Sequence, residues 1–377
     1  MMPTTRTDPA LRRQKLLARL AEKGVQGLLV TGPENRRYLT GFTGSTGWLV
    51  VSQQGLALVT DGRYWAQAQA ECPDVPVVRF RRDLHQRLSQ ALAEGLRSLG
   101  WQGRLGCEAQ HLTVAEFEDL KADLAGIELL PLKGLVEELR QVKSPEEIEA
   151  IRRAAGVAAR AFHQALHIFQ EGVREAELCA ELEYRIQLCG ARKPSFDTIV
   201  ASGPNGAYPH AGVTDRRMQA GELVTIDFGA LADGYCSDLT RTVWIGPLEG
   251  EQRRLYEAVR RAHRAGIEAI RPGKSGAEID QVARSVLAEA GYAEAFSHGL
   301  GHGVGLAVHE GPGLRPGETT LLAPGMVLTV EPGVYIPGLG GCRVEDMVLV
   351  TQQGAEILTH VAYQEPGQEH PLGPLPG

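Results

Sequence analysis

Two short stretches hold most of the residues able to do chemistry in this chain. The first runs from Gly221 to Trp244, where two segments rich in β-branched and aromatic residues flank Ala232-Asp233-Gly234, the pattern of an antiparallel hairpin. With the turn centred between Ala232 and Asp233, Asp227 and Asp238 stand directly opposite each other on one face. Opposed side chains sit about 5 Å apart at Cβ, where like charges repel. A cation between them removes the conflict, and hard divalent metal ions take carboxylate oxygens. Read alone, the stretch also fits two solvated aspartates on an exposed hairpin. The second stretch, Ser297 to Glu310, carries His298, His302 and His309 among glycines at 299, 301, 303 and 305. Such spacing suits an extended strand closely approached by another group rather than a helix interior. Glu331 precedes Pro332 and is thereby biased to extended backbone. Arg343 and Glu345 are two apart, so on a strand continuing through Met347 they share a face.

Other elements must hold these side chains. An internal repeat links the run from Phe169 to Gly190 with that from Ile270 to Gly291, and Gly221–Gly229 with Gly325–Gly333. Gly234–Asp238 loosely matches Gly341–Glu345, so carboxylates recur at equivalent places in two αβ halves. Ser144-Pro145-Glu146-Glu147 is a helix start with a capping box, opening a long helix whose Ile148, Ile151, Ala155, Ala158, Phe162, Leu166 and Phe169 line one buried face. His163 and His167 lie one turn apart on it, with no carboxylate or cysteine placed to complete a metal site, and read as a polar flank.

The first part of the chain alternates helix-like and strand-like segments: a strand from Gly27, a hairpin at 48–60, a helix from Leu84 to Leu99 and a short strand from Arg104. His85 and His111 there, without a partner at ligand spacing, read as surface or structural histidines. The organisation expected is an α/β domain at 1–133, a second domain at 134–363, and a Pro/Gly-rich flexible tail at 364–377. Truncation after Tyr363 is then expected to leave activity intact.

A length of 377 residues exceeds one comfortable hydrophobic core, and 43% hydrophobic with 23% charged residues is the composition of an ordinary globular protein. The net charge of −7 offers no basic face, which argues against nucleic acid as partner. No segment reaches the length of a membrane span and the N-terminus has no signal-peptide core, so the expected location is the cytoplasm. Six scattered cysteines without Cys-x-x-Cys spacing read as reduced thiols.

Together the motifs Ile226-Asp-Phe-Gly, Ser237-Asp-Leu-Thr-Arg-Thr, Gly301-His-Gly-Val-Gly, Val330-Glu-Pro-Gly-Val-Tyr and Arg343-Val-Glu-Asp resemble the metallopeptidases of the pita-bread fold. Within that group the proline-specific members, Xaa-Pro aminopeptidases and Xaa-Pro dipeptidases (prolidases), are most similar. The first part, with Arg37-Tyr-Leu-Thr-Gly-Phe-Thr-Gly-Ser and Thr60-Asp-Gly-Arg-Tyr, resembles their creatinase-type N-terminal domain. The resemblance implies an α/β (α+β) fold in which a pita-bread catalytic domain with an internal pseudo-twofold repeat follows the creatinase-type domain. It implies Asp227, Asp238, His302, Glu331 and Glu345 as ligands of two divalent metal ions, with Asp238 and Glu345 shared. It implies His210, His298, His309 and Arg343 as substrate contacts. Glu331 is then the proton shuttle, His309 a donor to the developing oxyanion and His210 a contact near the scissile bond.

Four carboxylates and one imidazole suit manganese, with cobalt or zinc as alternatives. Creatinase shares the fold without a metal, but its branch does not keep the ligand set, which is complete here. A methionine aminopeptidase would not carry this N-terminal domain, and a non-catalytic binding module would be expected to lose ligands. The expectation is an Xaa-Pro aminopeptidase acting on short peptides with proline second, favoured by the compact length and by the run at 204–210, and a homodimer as its relatives commonly are. The alternative is an Xaa-Pro dipeptidase, for which Arg343 could clamp the carboxylate after proline.

Overall fold

The computed structural model describes residues 9–81, 84–369 and 371, in two compact units that divide between Arg140 and Gln141. The first unit is built on a six-stranded mixed sheet in the order Val77–Phe80, Gly55–Asp61, Trp48–Ser52, Gly27–Val30, Leu105–Glu108, Leu129–Leu132. The expected hairpin forms, with Trp48 opposite Val59 and Ser52 opposite Gly55. The expected helix at 84–99 spans Leu88–Ser98 instead, after His85 takes a positive φ of 54°.

This unit runs seven residues past the expected boundary at 133, because the helix Leu135–Gln141 is bonded back into it. Arg140 Nη1 donates to Asn35 Oδ1 (2.7 Å), Asn35 donates to Glu137 (2.6 Å) and the Tyr38 hydroxyl donates to the Leu139 carbonyl (3.2 Å). His111 joins the same joint, 2.9 Å from Glu137. Glu108 lies beside them, yet its oxygens already accept from Thr31 N, Gly32 N and Asn35 Nδ2. Carboxylates saturated by N–H donors make a structural joint rather than a metal site.

The second unit repeats one plan twice. Helices Pro145–Ala165 and Glu175–Leu188 precede the sheet Leu239–Trp244, Leu223–Phe228, Ile199–Ser202; helices Gly250–Ala269 and Gly276–Glu289 precede the sheet Glu310–Leu314, Gly301–Gly303, Val327–Val330, Asp346–Val350, Ala355–Ile357. The capping box forms at the first of these helices: Glu147 N donates to Ser144 Oγ (3.3 Å) and Ser144 N to Glu147 Oε2 (3.0 Å). Its apolar face carries Phe162 onto Phe228, with ring centroids 4.9 Å apart, which packs the helix against the strand bearing Asp227.

The hairpin at 223–244 has a different register from the one expected. Asp227 pairs with Thr240, Phe228 with Leu239, and Ala232 with Tyr235. The turn residues are Asp233 and Gly234, with φ of 52° and 82°, the two positive values that a tight two-residue hairpin turn demands and that Asp-Gly supplies. Shifting the turn centre by one residue moves each partner by two. Face parity is therefore unchanged, and Asp227 and Asp238 keep a common side without being directly opposed.

The tail expectation is corrected over its first residues. Gln364 is 1% exposed, and its side-chain amide accepts from Trp244 N (3.0 Å) and donates to Trp244 O (3.1 Å). Trp244 Nε1 donates to Gln368 O (3.1 Å) and Gly246 N to Glu369 O (2.8 Å). Residues 370 and 372–377 lie outside the described residues. Truncation after Tyr363 strips partners from the buried Trp244 backbone, at about 1–3 kcal/mol for each orphaned group. The truncated protein is accordingly expected to unfold at lower denaturant concentration than the full chain; an unchanged midpoint would show that these bonds contribute nothing. Among the described residues no helix is long and apolar enough to cross a membrane.

Candidate metal centre and active site

Strand ends bring the expected ligands together. Asp227 lies in the strand Leu223–Phe228 and Asp238 immediately precedes the strand Leu239–Trp244. His302 is the middle residue of Gly301–Gly303, Glu331 follows Val327–Val330, and Glu345 lies between Gly340–Arg343 and Asp346–Val350. The glycines around His302 are needed for close approach: a Cβ on Gly301 would lie 2.1 Å from Thr329 O, and one on Gly303 would lie 2.3 Å from Gly311 O. One donor atom each from Asp238, His302 and Glu345 falls within 4.8 Å of the others. His302 Nε2 is 3.6 Å from Asp238 Oδ2 and 3.3 Å from Glu331 Oε1.

Hydroxyls and one arginine orient this set. Thr240 Oγ1 donates to Glu345 Oε2 (2.7 Å), and Thr329 Oγ1 donates to Glu331 Oε1 (3.1 Å) while accepting from His302 N (3.0 Å). Arg343, 4% exposed, donates from Nη2 to Asp227 Oδ2 (2.6 Å), from Nη1 to the Tyr335 hydroxyl (2.8 Å) and Pro209 O (3.1 Å), and from Nε to Thr240 Oγ1 (3.1 Å). Tyr335 also meets His298 Nε2 at 2.9 Å.

Electrostatics show what the cluster lacks. Burial, and then the charges of Glu345, Asp227 and Glu331, push the Asp238 carboxyl well above its usual range; burial and then Glu331 and Asp227 do the same to Glu345. Glu331 is pushed up to about 7 by burial, against the pull of Arg343. Burial holds His302 and His309 below the usual imidazole range and His298 down to about 4. His302 Nδ1 faces Gly303 O at 3.0 Å, so this nitrogen carries the proton and the Nε2 lone pair faces carboxylate oxygens. Asp227 Oδ1 is buried with no hydrogen-bond partner. A lone pair, an orphaned oxygen and mutually repelling carboxylates are all satisfied by divalent cations, so the donor set fits a metal.

The site opens on a cavity of about 900 Å³ whose lining includes His210, His298, His309, Phe196 and Ile199. The His309 ring lies 4.4 Å from that of His302. Arg343 also lines the cavity, where its Nη2 braces Asp227. His163 and His167 do not belong to the site; the long helix ends at Ala165, short of the expected Leu166 and Phe169, and His167 lies in the 3-10 turn Leu166–Ile168, its Nδ1 bonded to Gln164 O (2.7 Å). Sequence reasoning missed Thr240, Thr329 and Tyr335. Alternation alone points to the two threonines, each two residues from a ligand on the same strand face, and Tyr335 closes the quoted Glu-Pro-Gly-Val-Tyr run.

Residues 12–142 match the creatinase/prolidase N-terminal domain, and residues 149–352 match metallopeptidase family M24. A Pyrococcus furiosus protein named Xaa-Pro dipeptidase is 37% identical over 351 residues, covering 92% of this chain and 97% of that one. The structure of an Xaa-Pro dipeptidase from Bacillus anthracis is 38% identical with a TM-score of 0.90, covering 95% of this chain and 99% of that one. The structure of an X-Pro aminopeptidase from Thermotoga maritima is 33% identical with a TM-score of 0.85, covering 94% and 99%. With its carboxylates and histidine converging as a metal donor set, and with both halves of its sequence matched, this chain belongs to metallopeptidase family M24 and carries the creatinase/prolidase N-terminal domain in front of its catalytic unit.

Proposed function

We propose that the protein is an Xaa-Pro dipeptidase, hydrolysing the bond between an N-terminal residue and a C-terminal proline with two bound divalent ions. The observation that carries this reading is the end-to-end similarity, 37% and 38% identical, to two proteins named for that activity. The aminopeptidase expected from the sequence is the second reading, favoured by the Thermotoga maritima protein. Compact length does not separate the two, because this chain covers 99% of both the Bacillus anthracis and the Thermotoga maritima chains.

Asp227, Asp238, His302, Glu331 and Glu345 hold the ions, and this oxygen-rich set favours Mn²⁺ over Co²⁺ or Zn²⁺. Bound divalent ions activate water at neutral pH and polarise the scissile carbonyl. Around them, Arg343 and Tyr335 fix Asp227, and Thr240 and Thr329 aim Glu345 and Glu331. Glu331 takes one proton from the attacking water and returns it to the prolyl nitrogen as the C–N bond breaks, so the water oxygen ends on the acyl carbon. His309 donates to the carbonyl oxygen as it gains charge, and His210 contacts the substrate beside the scissile bond. His298 acts on substrate orientation, bonded to Tyr335. The reading includes a homodimer, which sedimentation equilibrium would check, acting on short proline peptides in the cytoplasm.

The deciding experiment compares kcat/KM of Mn²⁺-loaded protein on Xaa-Pro, Xaa-Pro-Yaa and longer peptides, with a matched Xaa-Ala set. Activity at least tenfold higher on the dipeptides is expected. Equal or better cleavage of the longer peptides would restore the aminopeptidase, and equal cleavage of the Xaa-Ala set would remove proline specificity.

A further inference from the structure

Behind the metal donors lies a second charged group that takes no part in the chemistry above. Arg241 and Asp346 are 1% and 0% exposed and form an ion pair, with Nη2 donating to Oδ1 at 2.7 Å. Each follows a residue of the site: Arg241 follows Thr240, and Asp346 follows Glu345. Strand alternation sends Thr240 to the ligand face and Arg241 to the opposite one.

The guanidinium does more than pair with Asp346. Its Nη1 donates to Glu345 O (2.6 Å) and Thr240 O (3.0 Å), and its Nε and Nη2 both donate to Val361 O (3.1 and 2.7 Å). Asp346 in turn accepts from Thr359 Oγ1 (2.5 Å) and the Tyr363 hydroxyl, with His263 Nε2 3.2 Å away.

Burying two charges carries a desolvation cost, and apolar residues of similar volume often fill such a place as well or better. Stability by itself does not call for this pair. What an apolar pair cannot supply is a rigid fork that grips the backbone carbonyls of Thr240 and Glu345 together. The Thr240 hydroxyl donates to Glu345 Oε2, and Glu345 N donates to Thr240 O (3.1 Å). Fixing these two backbones therefore fixes the Glu345 carboxylate.

We propose that Arg241 and Asp346 are positioning residues for the metal centre, a buried fork that sets Glu345 and Thr240 at the spacing divalent ions require. The proposal rests on the reading of Glu345 as a metal ligand. Outer partners of metal ligands typically change metal affinity by about 10–100-fold.

The test uses the full chain stripped of metal and titrated with Mn²⁺ by calorimetry, beside its thermal unfolding and its kcat and KM on an Xaa-Pro dipeptide. Arg241→Lys keeps the charge opposite Asp346, but its point-like ammonium cannot grip the carbonyls as a fork. The Mn²⁺ dissociation constant is expected to rise about 10–100-fold. At saturating Mn²⁺, kcat is expected to fall while KM stays within about twofold of wild type. Asp346→Asn, the second variant, keeps the bonds from Arg241 to the carbonyls and loosens only its anchor, so a smaller rise in the same constant is expected. A folded R241K whose Mn²⁺ affinity matches wild type overturns the proposal, and should R241K fail to fold, wild-type affinity in D346N does so. Failure of wild-type protein to bind Mn²⁺ would instead overturn the ligand reading itself.

Discussion

Asp238→Asn is expected to lower kcat/KM by at least about 10²–10³, the scale on which removing a single oriented electrostatic group acts in an active site, while the protein still folds. Asp238 is 5% exposed, and the charges of Glu345, Asp227 and Glu331 all bear on it. In the proposed centre Asp238 would be one of the residues holding the ions, so the amide would remove negative charge from the donor set. Glu345→Gln, in the same group of donors, is expected to behave alike. Each substitution also relieves repulsion among buried carboxylates, so metal-stripped variants should unfold at or above the temperature of stripped wild type. This opposite movement of activity and stability separates a ligand from a residue that merely holds the fold. Near-normal turnover with two Mn²⁺ still bound would remove Asp238 from the ligand set.

Chelation is expected to abolish turnover and to change how stability depends on pH. Glu331 rises from an ordinary value of 4.5 in the unfolded chain to about 7 in the folded metal-free chain. Between those values the folded state binds more protons than the unfolded state, so stability falls as pH rises through the window. The raised carboxyls of Asp238 and Glu345 act with the same sign. Metal binding requires these groups deprotonated and removes the penalty. The gap in unfolding temperature between Mn²⁺-loaded and stripped protein should therefore widen from pH 5 to pH 8. Taking the difference cancels groups that titrate alike in both forms. A gap that narrows as pH rises would contradict mutual repulsion among these carboxylates.

The sequence by itself determined features that depend on nearest neighbours. Ser144 and Glu147 mark a helix start because a capping box closes within four residues, and it forms as read. Asp227 and Asp238 share a face because side-chain parity survives any even shift of register. The glycines beside His302 signalled a close backbone approach, and the five motifs identified the family. Other features needed the tertiary structure, because they depend on groups far apart in the chain. The two-residue register change came from Asp233 and Gly234 both taking positive φ, which the composition of the turn permits without requiring. Tyr335 lies only eight residues from Arg343, but Asp227 and Thr240 lie 116 and 103 residues away, so no local pattern could show that this arginine braces Asp227. Gln364 reads as the start of a polar, proline-rich tail until Trp244, 120 residues earlier, presents a backbone N–H and C=O to its amide. Residue type and alternation settle which groups can meet on one face. Which of them do meet, and which are then left free for substrate, was decided by the packing of two αβ halves around a shared cluster of charge.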